Sequence, residues 1–201
     1  MIQIRNDNLQ HTKKQLGFYF DQSRCTGCYA CAIACRDWHD VQDTTVHWRR
    51  ISAFEWGRYP EVRVAYLSLS CVHCAQPACM ASCPVSAITK RSQDGIVLVD
   101  QHQCLGGSVC GSCRKACPYG VPQFSSSGDE RMQKCTLCVE RIDAGQQPVC
   151  VEACPVYALD WGPVDELQKK YGGVPEVRGF SIAPGTAPSI VFKPRWHEGE
   201  E

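Results

Sequence analysis

Sixteen cysteines, arranged in four groups of four, constrain this 201-residue chain more than any other feature of its sequence. Each group ends in C-x₃-C, and in the last three groups a proline follows the final cysteine. This internal repeat indicates one shared purpose for all sixteen side chains. Groups one to four are Cys25, Cys28, Cys31 and Cys35; Cys71, Cys74, Cys79 and Cys83; Cys104, Cys110, Cys113 and Cys117; and Cys135, Cys138, Cys150 and Cys154.

The spacing within the groups favours iron–sulfur clusters over zinc or disulfides. Group one, "CTGCYACAIAC", has the run C-x₂-C-x₂-C-x₃-C of bacterial two-cluster ferredoxins, in which the fourth cysteine ligates the other cluster. Zinc sites usually use separated C-x₂-C pairs, and disulfide frameworks are typical of short secreted chains. The polar start "MIQIRNDNLQHTKKQ" lacks the apolar segment of a secretory signal, so we expect a reducing environment for the thiols.

Because each fourth cysteine must serve a partner group, the four groups must pair. Between groups two and three, the sequence predicts a short helix and then a hairpin turned at Gln93-Asp94-Gly95. "RVAYLSLS" before group two, "LGFYFDQSRC" into group one and "YALDWG" after group four are predicted strands. A helix is predicted in "GPVDELQKKYGG", starting at Pro163 and ending at Gly172-Gly173.

These elements predict an α+β fold made of two ferredoxin-like modules, one inserted within the other. The outer module would comprise residues 16–58 and 124–173, the inner module residues 59–123, and residues 174–201 would form an extended arm on a partner. The predicted ligand sets are Cys25, Cys28, Cys31 and Cys154; Cys35, Cys135, Cys138 and Cys150; Cys71, Cys74, Cys79 and Cys117; and Cys83, Cys104, Cys110 and Cys113.

Several function classes are disfavoured by the rest of the sequence. Lys+Arg and Asp+Glu both number 21, so no global charge suggests nucleic acid. No apolar run approaches the roughly 20 residues that span a bilayer. No Rossmann glycine pattern follows a strand, so direct NAD binding is not expected. No nucleophile–base set or phosphate loop is evident, which favours electron transfer without a substrate site.

Long segments resemble the four-cluster electron-transfer subunit of molybdenum or tungsten pterin oxidoreductases, most closely the iron–sulfur subunit of the dimethyl sulfoxide reductase type. The resemblance covers residues 16–194, and the nested pairing is also that family's arrangement. It is carried by "SRCTGCYACAIACRDW", "SLSCVHCAQPAC", "GIVLVDQHQC", "CPYGVPQ", "KCTLCVERIDAGQQPVCVEACPVYALDWGPVDELQKKYG" and "SIVFKPR".

The resemblance implies a subunit that relays single electrons through four [4Fe–4S] clusters. Its partners would be a large Mo/W-pterin catalytic subunit and an integral-membrane quinone-reactive anchor. The same role in a polysulfide or thiosulfate reductase or a formate dehydrogenase is an alternative, and so is a free soluble polyferredoxin. The complex would lie on the cell membrane, on the periplasmic face through co-export with the catalytic subunit, or alternatively on the cytoplasmic face.

Group three departs from the family pattern, because its first gap is x₅ instead of x₂ and Gly107 stands where a cysteine is expected. In one interpretation Cys104 is idle and the site at Cys104, Cys110 and Cys113 holds a [3Fe–4S] cluster. In the other, Cys104 ligates iron and three inserted residues bulge behind it. The strand "GIVLVDQHQC" reaches Cys104 with the family's length, and Gly106 and Gly107 tolerate positive φ, so we favour the intact site.

Some residues near the cysteines have two interpretations each. His73 is interpreted as a surface or packing residue, since its group already has four cysteines. Lys134, Arg114 and Lys115 flank cysteines, and their positive charge would raise a cluster's reduction potential. The alternative is that all three are solvated surface charges. For Trp48, Arg49, Arg50 and Trp56 the sequence predicts contact with a partner subunit. The alternative is that the tryptophans lie in the core and the arginines are solvated. A disordered end is a further alternative for residues 197–201.

Overall fold

The computed structural model describes residues 14–126 and 130–196. Within those residues the strands are β1 Leu16–Asp21, β2 Arg50–Trp56, β3 Arg63–Leu69, β4 Ile88–Lys90, β5 Val97–Val99, β6 Gln123–Phe124, β7 Met132–Gln133, β8 Leu159–Pro163 and β9 Ile190–Lys193. The helices are α1 Ala30–Trp38, α2 Ala78–Ala81, α3 Ser112–Ala116, α4 Val139–Asp143, α5 Val149–Glu152 and α6 Val164–Tyr171. The fold is therefore mixed α and β.

A three-stranded sheet in the order β8-β1-β9 joins distant parts of the chain. β1 pairs antiparallel with β8 and parallel with β9. All six residues of β1 are buried because both faces of the strand are covered. Phe18, Phe20 and Phe192 lie in the main core on one face, while Tyr19 packs against Leu167 of α6 on the other.

Three two-stranded ribbons complete the strand pairing: β2 with β3, β4 with β5, and β6 with β7. The β4–β5 hairpin is the predicted one, and Gly95 in its loop has φ of 73°. A Cβ at Gly95 would lie 2.2 Å from the Gln15 side chain, so glycine is required there for space as well as for φ. The β2–β3 ribbon connects group one to group two.

Short helices bring cysteines of different groups together. α1 carries Cys31 and Cys35 and packs against α5, which carries Cys150. In the same way α2, with Cys79, packs against α3, with Cys113. The longest helix has nine residues, and among the described residues none is long and apolar enough to cross a membrane.

The segment after α6 packs on the chain's own body, whereas the sequence predicted an extended arm on a partner. Val174 pairs with Phe192 in an isolated bridge, and β9 forms one edge of the sheet beside β1. Ile190, Val191 and Phe192 are buried. The expectation is wrong for residues 174–196 because these apolar side chains find their partners on β1 and α6. The predicted disorder of residues 197–201 concerns residues outside the described range.

Candidate metal centres

The first set of cysteines draws on groups one and four. One small cavity is lined by Cys25, Cys28, Cys31 and Cys154. The loop from Cys25 turns tightly at Gly27, whose φ is 71° and whose Cβ would meet the Tyr66 ring at 2.5 Å. Cys28 is exposed and the other three cysteines are buried, so this set lies at the molecular surface.

The second set also draws on groups one and four, and all its members are buried: Cys35, Cys135, Cys138 and Cys150. Burial raises the pKa of the Cys35 thiol above its usual range. Neighbouring thiolates raise this pKa further, and these belong to Cys135, Cys150 and Cys138. The packing of α1 on α5 is what brings the four side chains together.

Groups two and three supply the third set. A second small cavity is lined by Cys71, Cys74, Cys79 and Cys117. Burial raises the pKa of Cys71 to about 12 and that of Cys74 to about 11. Lys134, which lines the same cavity, works against this shift at Cys71.

The fourth set contains Cys104. A third small cavity is lined by Cys83, Cys104, Cys110 and Cys113. Cys104 is half-buried, and its Sγ accepts a hydrogen bond from the Met132 N–H at 3.4 Å. Burial raises the pKa of Cys113 to about 11, with the nearby Cys104 thiolate as the second cause. The structure thus brings together the four cysteines that the sequence placed in each set; that they ligate iron stays a prediction.

The loop after Cys104 shows why the unusual spacing does not displace its side chain. In each group the second residue after the first cysteine has positive φ: 71° at Gly27, 39° at His73, 84° at Gly106 and 58° at Leu137. Gly106 therefore gives group three the same first turn as the others. A hydrogen bond of 2.9 Å from the Gly107 N–H to the Glu130 carbonyl oxygen holds the extra residues outward. A Cβ at Gly107 would lie 2.8 Å from the Phe124 ring, so this position does not replace Cys104.

The chemistry of these sites suits iron–sulfur clusters. Turns with positive φ direct successive backbone N–H groups toward one point and form anion-binding concavities that many Fe–S sites use. Backbone N–H groups also donate to cysteine sulfurs, from Ala87 to Cys83 at 3.2 Å and from Ala158 to Cys154 at 3.3 Å. All sixteen cysteines are free, and the buried Thr136 Oγ1 and Arg49 Nε have no hydrogen-bond partner in the described part of the chain.

Two basic side chains beside these sites are buried. Arg49 is 3% exposed, and Lys134 is 2% exposed with its ammonium donating to the carbonyl oxygens of Val97 and Cys135. Neither residue is a solvated charge, and Arg49 is too deeply buried to contact a partner, so those interpretations are wrong. Arg114 and Lys115, by contrast, are exposed.

The remaining candidates near the cysteines are less deeply buried, except for one histidine. Arg50, Trp48 and Trp56 are half-buried. His73 is a packing residue, fully buried, whose Nδ1 accepts the Val97 N–H at 3.0 Å.

Sequence reasoning missed His39. Its Nε2 lies 3.3 Å from the Cys138 Sγ, and its ring packs on Trp48 with centroids 4.6 Å apart. Burial lowers the pKa of His39, and in the tautomer protonated at Nε2 its N–H can donate to the sulfur. The available signal was its position four residues after Cys35, one helical turn beyond a cysteine on α1.

Comparison with known proteins shows the family. Residues 62–164 match the model for a 4Fe-4S dicluster domain, and residues 18–36 match that for a 4Fe-4S binding domain. The chain is 45% identical to the B-chain of anaerobic dimethyl sulfoxide reductase from Escherichia coli K12, over 90% of this chain and 89% of the relative. It belongs to the dimethyl sulfoxide reductase B-chain family. The corresponding protein of Haemophilus influenzae is 41% identical over 90% of both chains.

A wider relationship extends to other oxidoreductases. The B-subunit of sulfite dehydrogenase from Allochromatium vinosum is 32% identical over 90% of this chain and 83% of the relative. Membership of the dimethyl sulfoxide reductase B-chain family confirms the recognised resemblance and the ferredoxin-like domains. The protein is an iron–sulfur electron-transfer subunit of the molybdoenzyme type with four [4Fe–4S] clusters, as the sixteen cysteines predicted.

Proposed function

We propose that this protein relays electrons between a quinol-oxidising membrane subunit and a Mo/W-pterin catalytic subunit that reduces dimethyl sulfoxide or a similar oxide. The observation that carries the proposal is the collection of sixteen cysteines into four sets of four. When bound, each [4Fe–4S] cluster supplies a site that takes up and releases one electron. Identity above 40% to dimethyl sulfoxide reductase B-chains supports this substrate class over formate or polysulfide.

The ligands in this proposal are the four sets described above. Each set takes three cysteines from one group and one from its partner group, so the two sites of a pair share both chain segments. The recurrent positive-φ turns support this assignment because they aim N–H groups at the thiolates. At group three, the turn at Gly106 supports Cys104 as the first ligand of an intact four-iron site.

Two nested modules follow from the same pairing. The packing of α1 on α5 supports an outer module from residues 16–58 and 124–173, and that of α2 on α3 supports an inner module from residues 59–123. β2 and β3 pair across the proposed boundary at residue 59, so the two modules would share one ribbon. Sharing of this kind holds the sites at fixed distances, which a relay requires.

The surface beside the first set supports contact with a partner subunit. Cys28 is exposed, and so are Tyr29 and Ile33 at the start of α1, by 52% and 65%, while Trp38 at its end is exposed by 47%. Aromatic side chains are favoured at the centres of interfaces. The membrane anchor would contact another face, and we place the complex on the periplasmic side of the cell membrane.

Anaerobic purification of the native complex tests the proposal. It should contain about sixteen iron and sixteen sulfide per copy of this chain, since each cluster holds four of each. Quinol should reduce the bound clusters, and dimethyl sulfoxide should reoxidise them only while the catalytic subunit is present. Elution of the chain alone near its mass of 22.4 kDa would instead identify a free polyferredoxin.

A further inference from the structure

Arg49 is a buried cation placed between two of the cysteine sets. Its Nη1 donates to Ser68 Oγ and its Nη2 to Ser70 Oγ, both at 3.0 Å. The guanidinium lies over the Phe18 ring, 4.7 Å from its centroid. No carboxylate pairs with Arg49 among residues 14–126 and 130–196, so all its visible partners are neutral.

Burying an unpaired charge is costly, and natural structures keep such charges only where something compensates them. Arginine cannot avoid the problem by losing its proton. Burial acts to lower the pKa of Arg49, yet the thiolates of Cys150 and Cys31 raise it above its usual value. Compensation therefore comes from the cysteine sets on either side.

Arg49 interacts with the two nearest cysteine sets in different ways. On one side Ser68 links them, because its Oγ is 3.0 Å from Arg49 Nη1 and 3.4 Å from Cys31 Sγ. On the other side the guanidinium opposes the effect of burial on the pKa of Cys150, partly as a hydrogen-bond donor. The Nε has no partner in the described part of the chain. This N–H can therefore donate a hydrogen bond to a sulfur atom.

We propose that Arg49 is a positioning residue whose fixed charge raises the reduction potentials of both clusters of the outer pair. This inference rests on the proposed ligand sets that contain Cys31 and Cys150. The reduced form of a cluster carries one more negative charge, and a cation beside it favours that form. Because Arg49 is buried between the two sites, salt screens its effect little. A single side chain thus keeps the two potentials elevated together.

The test is a redox titration followed by EPR, carried out on the intact complex with Arg49 replaced. Arg49→Met removes the charge, and Arg49→Gln removes it but keeps an amide that can donate to Ser68. Both variants should keep about sixteen iron per chain, the content of four four-iron clusters, and titrate with two of the four midpoint potentials lowered and two unchanged. The lowering should persist when the ionic strength is raised.

Two further variants separate charge from packing. Arg49→Lys keeps the positive charge but lacks the planar guanidinium group. Its midpoint potentials should therefore stay closer to wild type than those of Arg49→Met. Arg50→Gln is the matched control, because the Arg50 Nη2 donates to the Tyr119 carbonyl at 2.9 Å and not to Ser68 or Ser70. This control should leave the two potentials of the outer pair in place.

Several results would overturn the inference. One is unchanged potentials in Arg49→Gln with full iron content, and another is an equal drop in Arg49→Lys and Arg49→Met. Cluster loss in both neutral variants also overturns it, since Arg49 would then act in assembly. A wrong assignment of the ligand sets would give a different result, because the wild-type complex itself would show fewer than four titrating clusters.

Discussion

At the residue scale, the cysteine pattern is strongly predictive and the charges around it are not. The ligand candidates are visible because C-x₂-C spacing reports a local turn, which a few neighbouring residues determine. Whether Arg49 or Lys134 is buried depends on strands and helices far away in the chain, so no local pattern reports it. His39 had a local signal in its spacing from Cys35, but its contact with Cys138 joins positions 99 residues apart, which no local pattern reports.

The first prediction concerns Cys104. Cys104→Ser removes one thiolate from the fourth set, so one corner iron loses its ligand. We expect a [3Fe–4S] EPR signal in oxidised complex, or a shifted potential for one cluster. Wild-type complex should lack a stoichiometric signal of this kind, and its presence there, unchanged by Cys104→Ser, would show that Cys104 is idle.

A second prediction concerns Asp160, which accepts hydrogen bonds from Tyr171 at 2.6 Å and Lys170 at 2.9 Å. Burial acts to raise the pKa of Asp160, but these hydrogen bonds outweigh it and the pKa lies below its usual value. A lowered folded-state pKa means that the ionised carboxylate stabilises the fold above the unfolded pKa of about 4. That contribution disappears as the pH falls through the lower folded-state value.

Asp160→Asn should therefore accelerate thermal bleaching of the clusters at about pH 7, and the difference from wild type should shrink toward about pH 3. The rate of loss of visible absorbance measures this, because unfolding of such a protein is followed as a rate. Tyr171→Phe is the matched variant, as it removes one donor and keeps the charge. A difference that grows on acidification would contradict the assignment.

At the element scale, most strands and helices with local signals were predicted and those defined by distant partners were not. The short helix predicted between groups two and three is wrong, because residues 84–87 form a turn that leads into β4. β1, β3, β8, the β4–β5 hairpin and α6 agree with the sequence, and α6 ends at Gly172 with φ of 58°. β2 was missed because "RISAFEW" mixes exposed and half-buried residues and depends on β3 for its pairing. β9 has only four residues, which are too few for a clear pattern, and the sequence predicts an arm in its place.

The packing of α1 against α5 gives the third prediction. Cys35→Ser should perturb the cluster held by Cys135, Cys138 and Cys150, although Cys35 belongs to group one. Likewise Cys83→Ser should perturb the cluster held by group three. EPR of the reduced variants can assign the affected signal, and an effect limited to each cysteine's own group would refute the exchange.

β9 gives the fourth prediction. Phe192 is completely buried, and Phe192→Ala should cost about 3–5 kcal/mol of stability, the usual range for such a core truncation. Five buried cysteines of the outer pair belong to the same core as Phe192, against one of the inner pair, so the outer clusters should be released first on warming. Iron release followed by chelator absorbance measures the effect. The exposed Tyr59, changed to Ala, serves as a control that should behave like wild type.

At the scale of the whole molecule, the described parts do not separate cleanly at the predicted boundaries. The β2–β3 ribbon crosses residue 59, and Met132 and Lys134 reach from the outer segment to the inner sites. The sequence could predict which cysteine groups pair, because their order in the chain leaves few choices. It could not predict these cross-boundary contacts, which arise only when distant parts of the chain are folded together.

The fifth prediction follows from these contacts. A fragment of residues 59–123 should bind little iron when reconstituted anaerobically, although it contains eight cysteines. A fragment of residues 49–135 includes β2, Met132 and Lys134, and it should retain substantially more iron per chain. Iron analysis after gel filtration compares the two, and equal retention would support an autonomous inner module.

The central position of β1 has a consequence for biosynthesis. This apolar strand leaves the ribosome early, but neither neighbour exists until residues 159–193 have been made. During that interval both of its edges are unpaired, a state that promotes association with other chains. The nascent polypeptide is therefore exposed to incorrect pairing at β1 until its last strand has been made.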